Sequence, residues 1–282
     1  MKLHEIHVRD PFIYTDRAAN CYYLYGRGEQ VNFVVYKSAN LEDWELLGDV
    51  FAAQEGFWGD RDFWTPEMHC IDGKYYIFAT FANATLIGDA RYRRSQILVS
   101  DRPEGPFRPH GGPITPDGWV CLDATYFGEN GKRYSVFCHE WKQIGDGGMC
   151  LVELDKDLAP VGEAETLFHA SDVPWVVNLH ADRGGQCIVT DGPFLLRKGE
   201  TLFMLWSSFS ANGYAVCLSK AKNIHGPWTH SEKPFLNVDG GHGMVFFDLS
   251  GNPHYTFHAT NSVTEHPVIL DIEITEETIA IK

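Results

Sequence analysis

A local pattern that recurs five times constrains the fold of this chain more than any other feature. Each copy opens with a short polar or aromatic motif and continues into an apolar, strand-forming run. Taking Asp10, Thr65, Asp123, Asp191 and His242 as markers, the steps between copies are 55, 58, 68 and 51 residues, and the copies fill nearly all 282 residues. Recurrence at this spacing indicates a repeat architecture.

Each copy predicts three antiparallel strands. The first run ends in a Gly/Asn/Asp-rich turn, such as the Asp-Gly-Lys turn beginning at Asp72, and a second aromatic-rich run follows. Turn residues with access to positive φ between two runs of strand formers predict a hairpin. Third strands are predicted at 32–36, 96–100, 149–154, 214–219 and 267–272.

An outermost fourth strand is predicted after three of the repeats, from Trp44, Phe107 and Trp228. Four strands in each of five repeats predict an all-β fold, a five-bladed β-propeller. No long amphipathic helix or internal linker is visible, so residues 1–282 are expected to form a single domain. The fifth repeat lacks an obvious fourth strand, which either the segment before Asp10 or residues 273–282 could supply.

Composition excludes several classes of partner. The formal net charge is −15, from 38 acidic and 23 basic residues, so an acidic surface would repel nucleic acid and is compatible with a neutral small molecule or polysaccharide. No apolar run approaches the roughly 18 residues that cross a membrane, and no apolar signal region precedes the first repeat. We expect a cytoplasmic protein if the chain is complete, and a secreted or periplasmic one if a signal peptide has been removed. The pattern makes no prediction of an oligomeric state.

Propeller geometry predicts where the chemistry lies. First strands line the central channel and second strands run back antiparallel, so the first-strand openings and the second-strand ends share one face. Paired carboxylates beside aromatic rings are what glycoside cleavage requires. The side chains expected at this mouth are Asp10, Glu67, Asp123, Glu140 and Asp191, the histidines His69, His242 and His258, and the rings of Trp64, Trp141, Trp175 and Trp206.

With these motifs in this order, the chain resembles glycoside hydrolase family 43 over essentially its full length. That resemblance implies five-bladed propellers that act with inversion on α-L-arabinofuranosides and β-D-xylosides. Asp10 stands in an Arg-Asp-Pro motif whose Asp is the family's general base. Trp64 begins a match to its Trp-Ala-Pro motif, and Asp123 stands where an Asp tunes the pKa and orientation of the general acid. His242 matches a histidine that faces the axis near a calcium ion or water.

The chain departs from the family at the general acid. The family has a Glu in a Glu-Gly-Pro motif that opens the fourth blade, whereas this chain has Asp191 in Asp-Gly-Pro. A literal Glu-Gly-Pro begins at Glu104 but falls at an outer strand, so Glu104 is interpreted as structural. The acid is therefore expected to be Asp191 or, at the end of a neighbouring second strand, Glu140.

The resemblance predicts an inverting, exo-acting hydrolase, first an α-L-arabinofuranosidase, acting on arabinose- or xylose-containing oligosaccharides or polysaccharides of plant type. β-Xylosidase, endo-arabinanase and a non-catalytic carbohydrate-binding propeller remain open alternatives. No cofactor is expected to be required. His242 is the candidate ligand for a structural calcium ion at the propeller axis.

Overall fold

The computed structural model describes residues 1–28, 31–89, 91–262 and 264–282. It contains five four-stranded antiparallel sheets, each built from consecutive strands. This confirms the predicted all-β, five-bladed propeller. None of the helices in the described part of the chain is long and apolar enough to cross a membrane.

The strands divide evenly among the blades. Blade 1 contains β1 (Phe12–Asp16), β2 (Cys21–Arg27), β3 (Asn32–Ser38) and β4 (Trp44–Ala52). Blade 2 contains β5 (Arg61–Ile71), β6 (Lys74–Ala82), β7 (Arg93–Ser100) and β8 (Arg108–Pro113). Blade 3 contains β9 (Cys121–Glu129), β10 (Lys132–His139), β11 (Gly148–Leu154) and β12 (Pro160–His169). Blade 4 contains β13 (Asp191–Lys198), β14 (Thr201–Ser210), β15 (Gly213–Ala221) and β16 (Thr229–His230), and blade 5 contains β17 (Gly240–Phe247), β18 (Pro253–Ala259), β19 (His266–Ile274) and β20 (Ile279–Ile281).

The helices in the described part of the chain are all short. One α-helix, α1, spans Trp141–Ile144 after the second strand of blade 3. Among the described residues, 3₁₀ turns lie at Leu3–Glu5, Ala84–Leu86, Ala170–Asp172 and Ala181–Arg183.

The first strands contact one another around the ring, from β1 through β5, β9, β13 and β17 back to β1. Apolar clusters join neighbouring blades: Phe78 of blade 2 and Phe137 of blade 3 share one, and Phe203 of blade 4 and Tyr255 of blade 5 share another. Because each blade buries its faces against its neighbours, the ring itself forms the hydrophobic core.

The fifth blade obtains its fourth strand from the C-terminal segment, because β20 pairs with β19. This selects one of the two alternatives that the sequence left open. The N-terminal segment instead packs across the closure: its 3₁₀ turn contacts β19, and Ile6 and Val8 are buried in the core shared by blades 1, 2 and 5.

Gly26 in β2 tests this packing of the N-terminal segment. A Cβ at Gly26 would lie 2.8 Å from Val8 Cγ2 and closer still to Cγ1. We expect Gly26→Ala to lower the free energy of unfolding by about 1–3 kcal/mol, as overpacking does, measured by denaturant unfolding. Gly112→Ala is the matched control, because a Cβ there meets nothing within 4 Å. Equal stability of the two variants would contradict the packing described.

Candidate active site

The channel mouth is built from five strand openings with the same backbone conformation. One residue in each opening has a positive φ of 46° to 56°: Asp10, Thr65, Asp123, Gly192 and His242. In blades 2 to 5 the ladder between first and second strands shifts register there, as at a β-bulge. Such bulges redirect side chains out of the regular alternation.

This conformation corrects the fourth sequence marker. Gly192, not Asp191, is the equivalent of Asp10 and Asp123 in the fourth blade. The ring of His242 explains the glycine, because a Cβ at Gly192 would lie 2.6 Å from it. Asp191 therefore occupies the position just before the bulged residue.

Asp10 is surrounded by basic groups. Its Oδ1 lies 3.1 Å from His258 Nδ1, 3.4 Å from His242 Nδ1 and 3.7 Å from Arg9 Nε. Burial alone would raise the pKa of Asp10, but His242, His258 and Arg9 outweigh burial and hold that pKa well below its ordinary value. These neighbours therefore favour the ionised form of Asp10.

Asp123 is buried and held by three hydrogen bonds, two accepted by its carboxyl and one donated by its backbone N–H. Its Oδ1 accepts the Thr65 hydroxyl at 3.2 Å and its Oδ2 accepts the Gly192 backbone N–H at 3.0 Å. Its own backbone N–H donates to the Thr80 hydroxyl at 2.8 Å. These bonds fix the Asp123 carboxyl against the start of blade 4.

The Asp191 carboxyl is the third in this group, and its Oδ2 accepts the Tyr214 hydroxyl at 3.0 Å. Burial raises the pKa of Asp191 to about 6, and the charge of Asp10 acts in the same direction, while His242, Tyr214 and Arg9 oppose the rise. Burial, together with the charges of Asp191 and Asp10, also raises the pKa of Asp123 well above its ordinary value. Neighbouring carboxyls with pKa values driven apart can serve as one acid and one base.

These three carboxyls face one cavity of about 440 Å³. Trp64, Trp141, Glu140 and His242 also line it, as the sequence analysis expected of the mouth. Leu179, Val189 and Phe209 supply apolar wall on the side of blade 4. A cavity with clustered carboxyls and flanking aromatic rings is suited to binding and cleaving a sugar chain.

Glu140 has a different environment from the three aspartates. Its Oε2 lies 2.5 Å from Arg93 Nη1 and its Oε1 lies 3.1 Å from Lys142 Nζ. Arg93 also pairs with Asp62 at 2.7 Å and lies 4.3 Å over the Trp64 ring. Since both carboxylate oxygens face cations, Glu140 is placed to anchor Arg93 beneath Trp64 rather than to donate a proton.

Several residues expected at the mouth lie elsewhere. Trp206 is fully buried between blades 3 and 4, where its Nε1 donates to the Ser219 hydroxyl at 2.9 Å, and Trp175 packs in the same cluster. Those two predictions are wrong because the side chains point into the inter-blade core rather than the channel. His258 is also fully buried, so it supports Asp10 from behind instead of binding substrate.

Glu67 and His69 lie deeper in the channel than expected. Both follow the bulge on β5, and His69 Nε2 lies 3.6 Å from Glu67 Oε2 and 3.4 Å from the Thr125 hydroxyl. Neither lines the 440 Å³ cavity; His69 borders a separate cavity beside Phe12. The prediction that they bind substrate at the mouth is corrected on this ground.

The sequence reasoning missed Arg9, Arg93 and Tyr214. Arg9 immediately precedes Asp10, while Arg93 and Tyr214 are among the first residues of the third strands β7 and β15. Third strands begin at the same face where second strands end, so their first residues belong with the candidate set. The first residues of the third strands are therefore the signal that identifies Arg93 and Tyr214.

No metal centre is evident in the part of the chain that the structure describes, where no group of three or more His, Cys, Asp or Glu side chains could hold an ion. His242 directs Nδ1 at Asp10 and at Asp123 Oδ2, 3.6 Å away, and its buried Nε2 has no hydrogen-bond partner. A single nitrogen does not make a site for calcium, which takes six to eight oxygen ligands. The residues present therefore do not fit the structural calcium considered from the sequence.

Comparison with known proteins gives a consistent family. The family model for glycosyl hydrolases family 43 matches residues 4–279. The crystal structure of an endo-arabinase from Bacteroides thetaiotaomicron VPI-5482 is 40% identical with a TM-score of 0.91, and the match covers 98% of this chain and 97% of that one.

Two relatives with assigned activities are also similar. A xylosidase/arabinosidase from Bacteroides ovatus is 31% identical over 251 residues, which are 80% of this chain and 74% of the relative. Alpha-L-arabinofuranosidase 43 from Humicola insolens is 28% identical over 197 residues, which are 63% of this chain and 37% of that longer relative.

The raised pKa of Asp191 predicts a measurable cost in stability. The folded protein holds this proton up to about pH 6, whereas the ordinary value is 3.8, so the folded state binds more protons in that window and stability falls as pH rises through it. We expect Asp191→Asn to remove up to about 3 kcal/mol of this loss, measured by denaturant unfolding between about pH 4 and 7. Asp101→Asn, at an exposed site, is the control. If the stability of the parent and of Asp191→Asn depended on pH in the same way, the raised pKa of Asp191 would be contradicted.

Proposed function

The chain belongs to family 43 of the glycosyl hydrolases, as its motifs predicted, and we propose that it hydrolyses α-L-arabinofuranosyl bonds with inversion of configuration. Asp10 is the general base, Asp191 the general acid and Asp123 the residue that orients the acid. The observation that supports this most strongly is the sharing of one cavity by an ionised Asp10 and an Asp191 whose pKa is raised to about 6.

The proposed reaction is a single displacement. Asp10 accepts a proton from a water molecule, whose oxygen attacks the anomeric carbon from the face opposite the leaving group. Asp191 gives its proton to the glycosidic oxygen as that bond breaks, so the leaving sugar departs as an alcohol. Two carboxyls with room for a water between them are the arrangement that inversion requires.

Asp123 contributes to this reaction by position and charge. Its bond to the Gly192 N–H fixes the peptide next to Asp191. The two carboxyls also oppose each other's ionisation, which keeps a proton in the pair at higher pH than an isolated aspartate would. The expected result is an acid that remains protonated while Asp10 is ionised.

The choice of sugar is supported by the relatives, since arabinose is common to the names of all three. Trp64 and Trp141 provide rings on which sugars can stack. Arg93, held by Glu140 and Asp62, stiffens the Trp64 platform from below. Arabinose-containing oligosaccharides or polysaccharides are therefore the proposed substrates, with xylose as the nearest alternative.

A second candidate, cleavage within an arabinan chain, is favoured by a specific observation. A further cavity of about 680 Å³ extends over blade 1 and shares Arg9, Asp10, Trp64 and Thr65 with the first. A groove that continues past Asp10 could hold sugars on both sides of the scissile bond. Products from linear arabinan distinguish the modes: arabinose alone from the first cycles indicates exo action, and a ladder of oligosaccharides indicates endo action.

Asp10→Asn tests the base. An amide cannot accept the proton of the attacking water, so we expect kcat to fall by about 10²- to 10⁴-fold while the protein remains folded. Proton NMR of the parent reaction should show the inverted anomer as first product. Near-normal turnover by the variant, or a first product with retained configuration, would overturn the mechanism.

Asp191→Asn and Glu140→Gln together test the acid. An activated aryl arabinofuranoside can lose its leaving group without protonation, whereas a natural disaccharide cannot. We expect Asp191→Asn to lose activity on the disaccharide far more than on the aryl glycoside, and Glu140→Gln to affect both alike. The reverse pattern would transfer the acid role to Glu140.

A further inference from the structure

Tyr214 occupies a rigid position between the two proposed catalytic groups. Its ring is buried, stacks on His258 with centroids 5.7 Å apart and planes at 20°, and lies at 5.1 Å from Phe209. Its backbone N–H donates to Asp239 Oδ1 at 3.0 Å. Gly241 makes room for the ring, because a Cβ there would lie 2.8 Å from Tyr214 Cε1. The phenol is therefore fixed from several sides.

The hydroxyl of this fixed ring donates to Asp191 Oδ2 at 3.0 Å. Burial raises the pKa of Tyr214 well above its ordinary value, and the charges of Asp191 and Asp10 act in the same direction, so the phenol remains a donor. Because Oδ2 is occupied as an acceptor, the acidic proton of Asp191 is left on Oδ1. One oxygen is thus held by the protein, and the other carries the proton that the proposed mechanism transfers.

We propose that Tyr214 is a positioning residue for the general acid, and that its hydroxyl fixes the shorter aspartate side chain in the orientation from which it protonates the leaving group. This inference rests on the proposed function, in which Asp191 is the acid. The bond also stabilises the carboxylate left after proton transfer, since a hydrogen bond to an ionised group is stronger than one to a neutral group.

The same ring connects the acid to the base. His258, stacked on Tyr214, lies 3.1 Å from Asp10 Oδ1. The charged or titratable groups acting on Asp191 are Asp10, Asp123, Arg9, His242 and Tyr214. Tyr214 is the member that reaches Asp191 by a direct side-chain hydrogen bond and can lose it in a nearly isosteric change.

The test compares Tyr214→Phe with the parent on the natural disaccharide and the aryl arabinofuranoside, from about pH 4 to 8. We expect kcat on the disaccharide to fall about 10- to 100-fold, the size of a lost hydrogen bond to a charged group, with a smaller loss on the aryl glycoside. The alkaline limb of the profile of kcat against pH should move to higher pH, because removing a donor to the carboxylate raises the pKa of Asp191.

Tyr25→Phe is the matched control, since it removes a buried phenol that donates to the Pro103 carbonyl at 2.8 Å and lines neither cavity. We expect Tyr25→Phe to leave unchanged both the ratio of kcat on the disaccharide to kcat on the aryl glycoside and the alkaline limb of the pH profile. A loss of thermal stability would not affect this comparison. Equal losses on both substrates by Tyr214→Phe, with the limb unmoved, would overturn the inference.

Asp191→Asn, assayed in parallel, separates the two levels of the proposal. If Asp191→Asn loses more activity on the disaccharide than on the aryl glycoside and Tyr214→Phe does not, the role of Tyr214 is rejected and the acid assignment stands. If Asp191→Asn loses equal activity on both substrates, the acid assignment itself is rejected, and the role of Tyr214 with it.

Discussion

The site depends on a backbone conformation that strands do not normally adopt. In each blade one residue at the channel mouth takes a positive φ, and in four blades that residue is not glycine, as with Asp10 and Asp123. Each such residue costs of the order of 1 kcal/mol or more and persists only where its surroundings impose it. Here the backbone N–H of Asp123 donates to the Thr80 hydroxyl, and that of Gly192 donates to Asp123 Oδ2. Side chains of the preceding blade therefore hold the conformation at the mouth.

That geometry brings three carboxyls together in a poorly solvated space, where they cannot all be ionised at low cost. The surrounding groups decide which one is charged. His242, His258 and Arg9 stabilise negative charge on Asp10. The protons that remain are held by the other two carboxyls. The proposed division into acid and base follows from the packing of basic groups around Asp10.

The fold could be predicted from the repeat, because each blade has its own hairpin turns and aromatic strands. The depth of a residue along the channel and the direction of its side chain could not be predicted in the same way. Trp206 and His69 follow the expected spacing, yet one points into the core between blades and the other lies below the bulge. The fourth marker was misplaced by one residue, because Gly192 takes the positive φ that Asp10, Thr65, Asp123 and His242 take elsewhere.

Position in the ring, rather than the letters of a motif, determines what a carboxyl can do. Glu104 stands in a literal Glu-Gly-Pro, but it accepts the Tyr23 hydroxyl at 2.7 Å and lines neither of the two cavities at the mouth. Asp191 has the shorter side chain but lines the cavity at the mouth, and Tyr214 reaches it from the third strand of its own blade. Because Tyr214 also stacks on His258, which lies beside Asp10, one ring contacts both the proposed acid and the support of the proposed base.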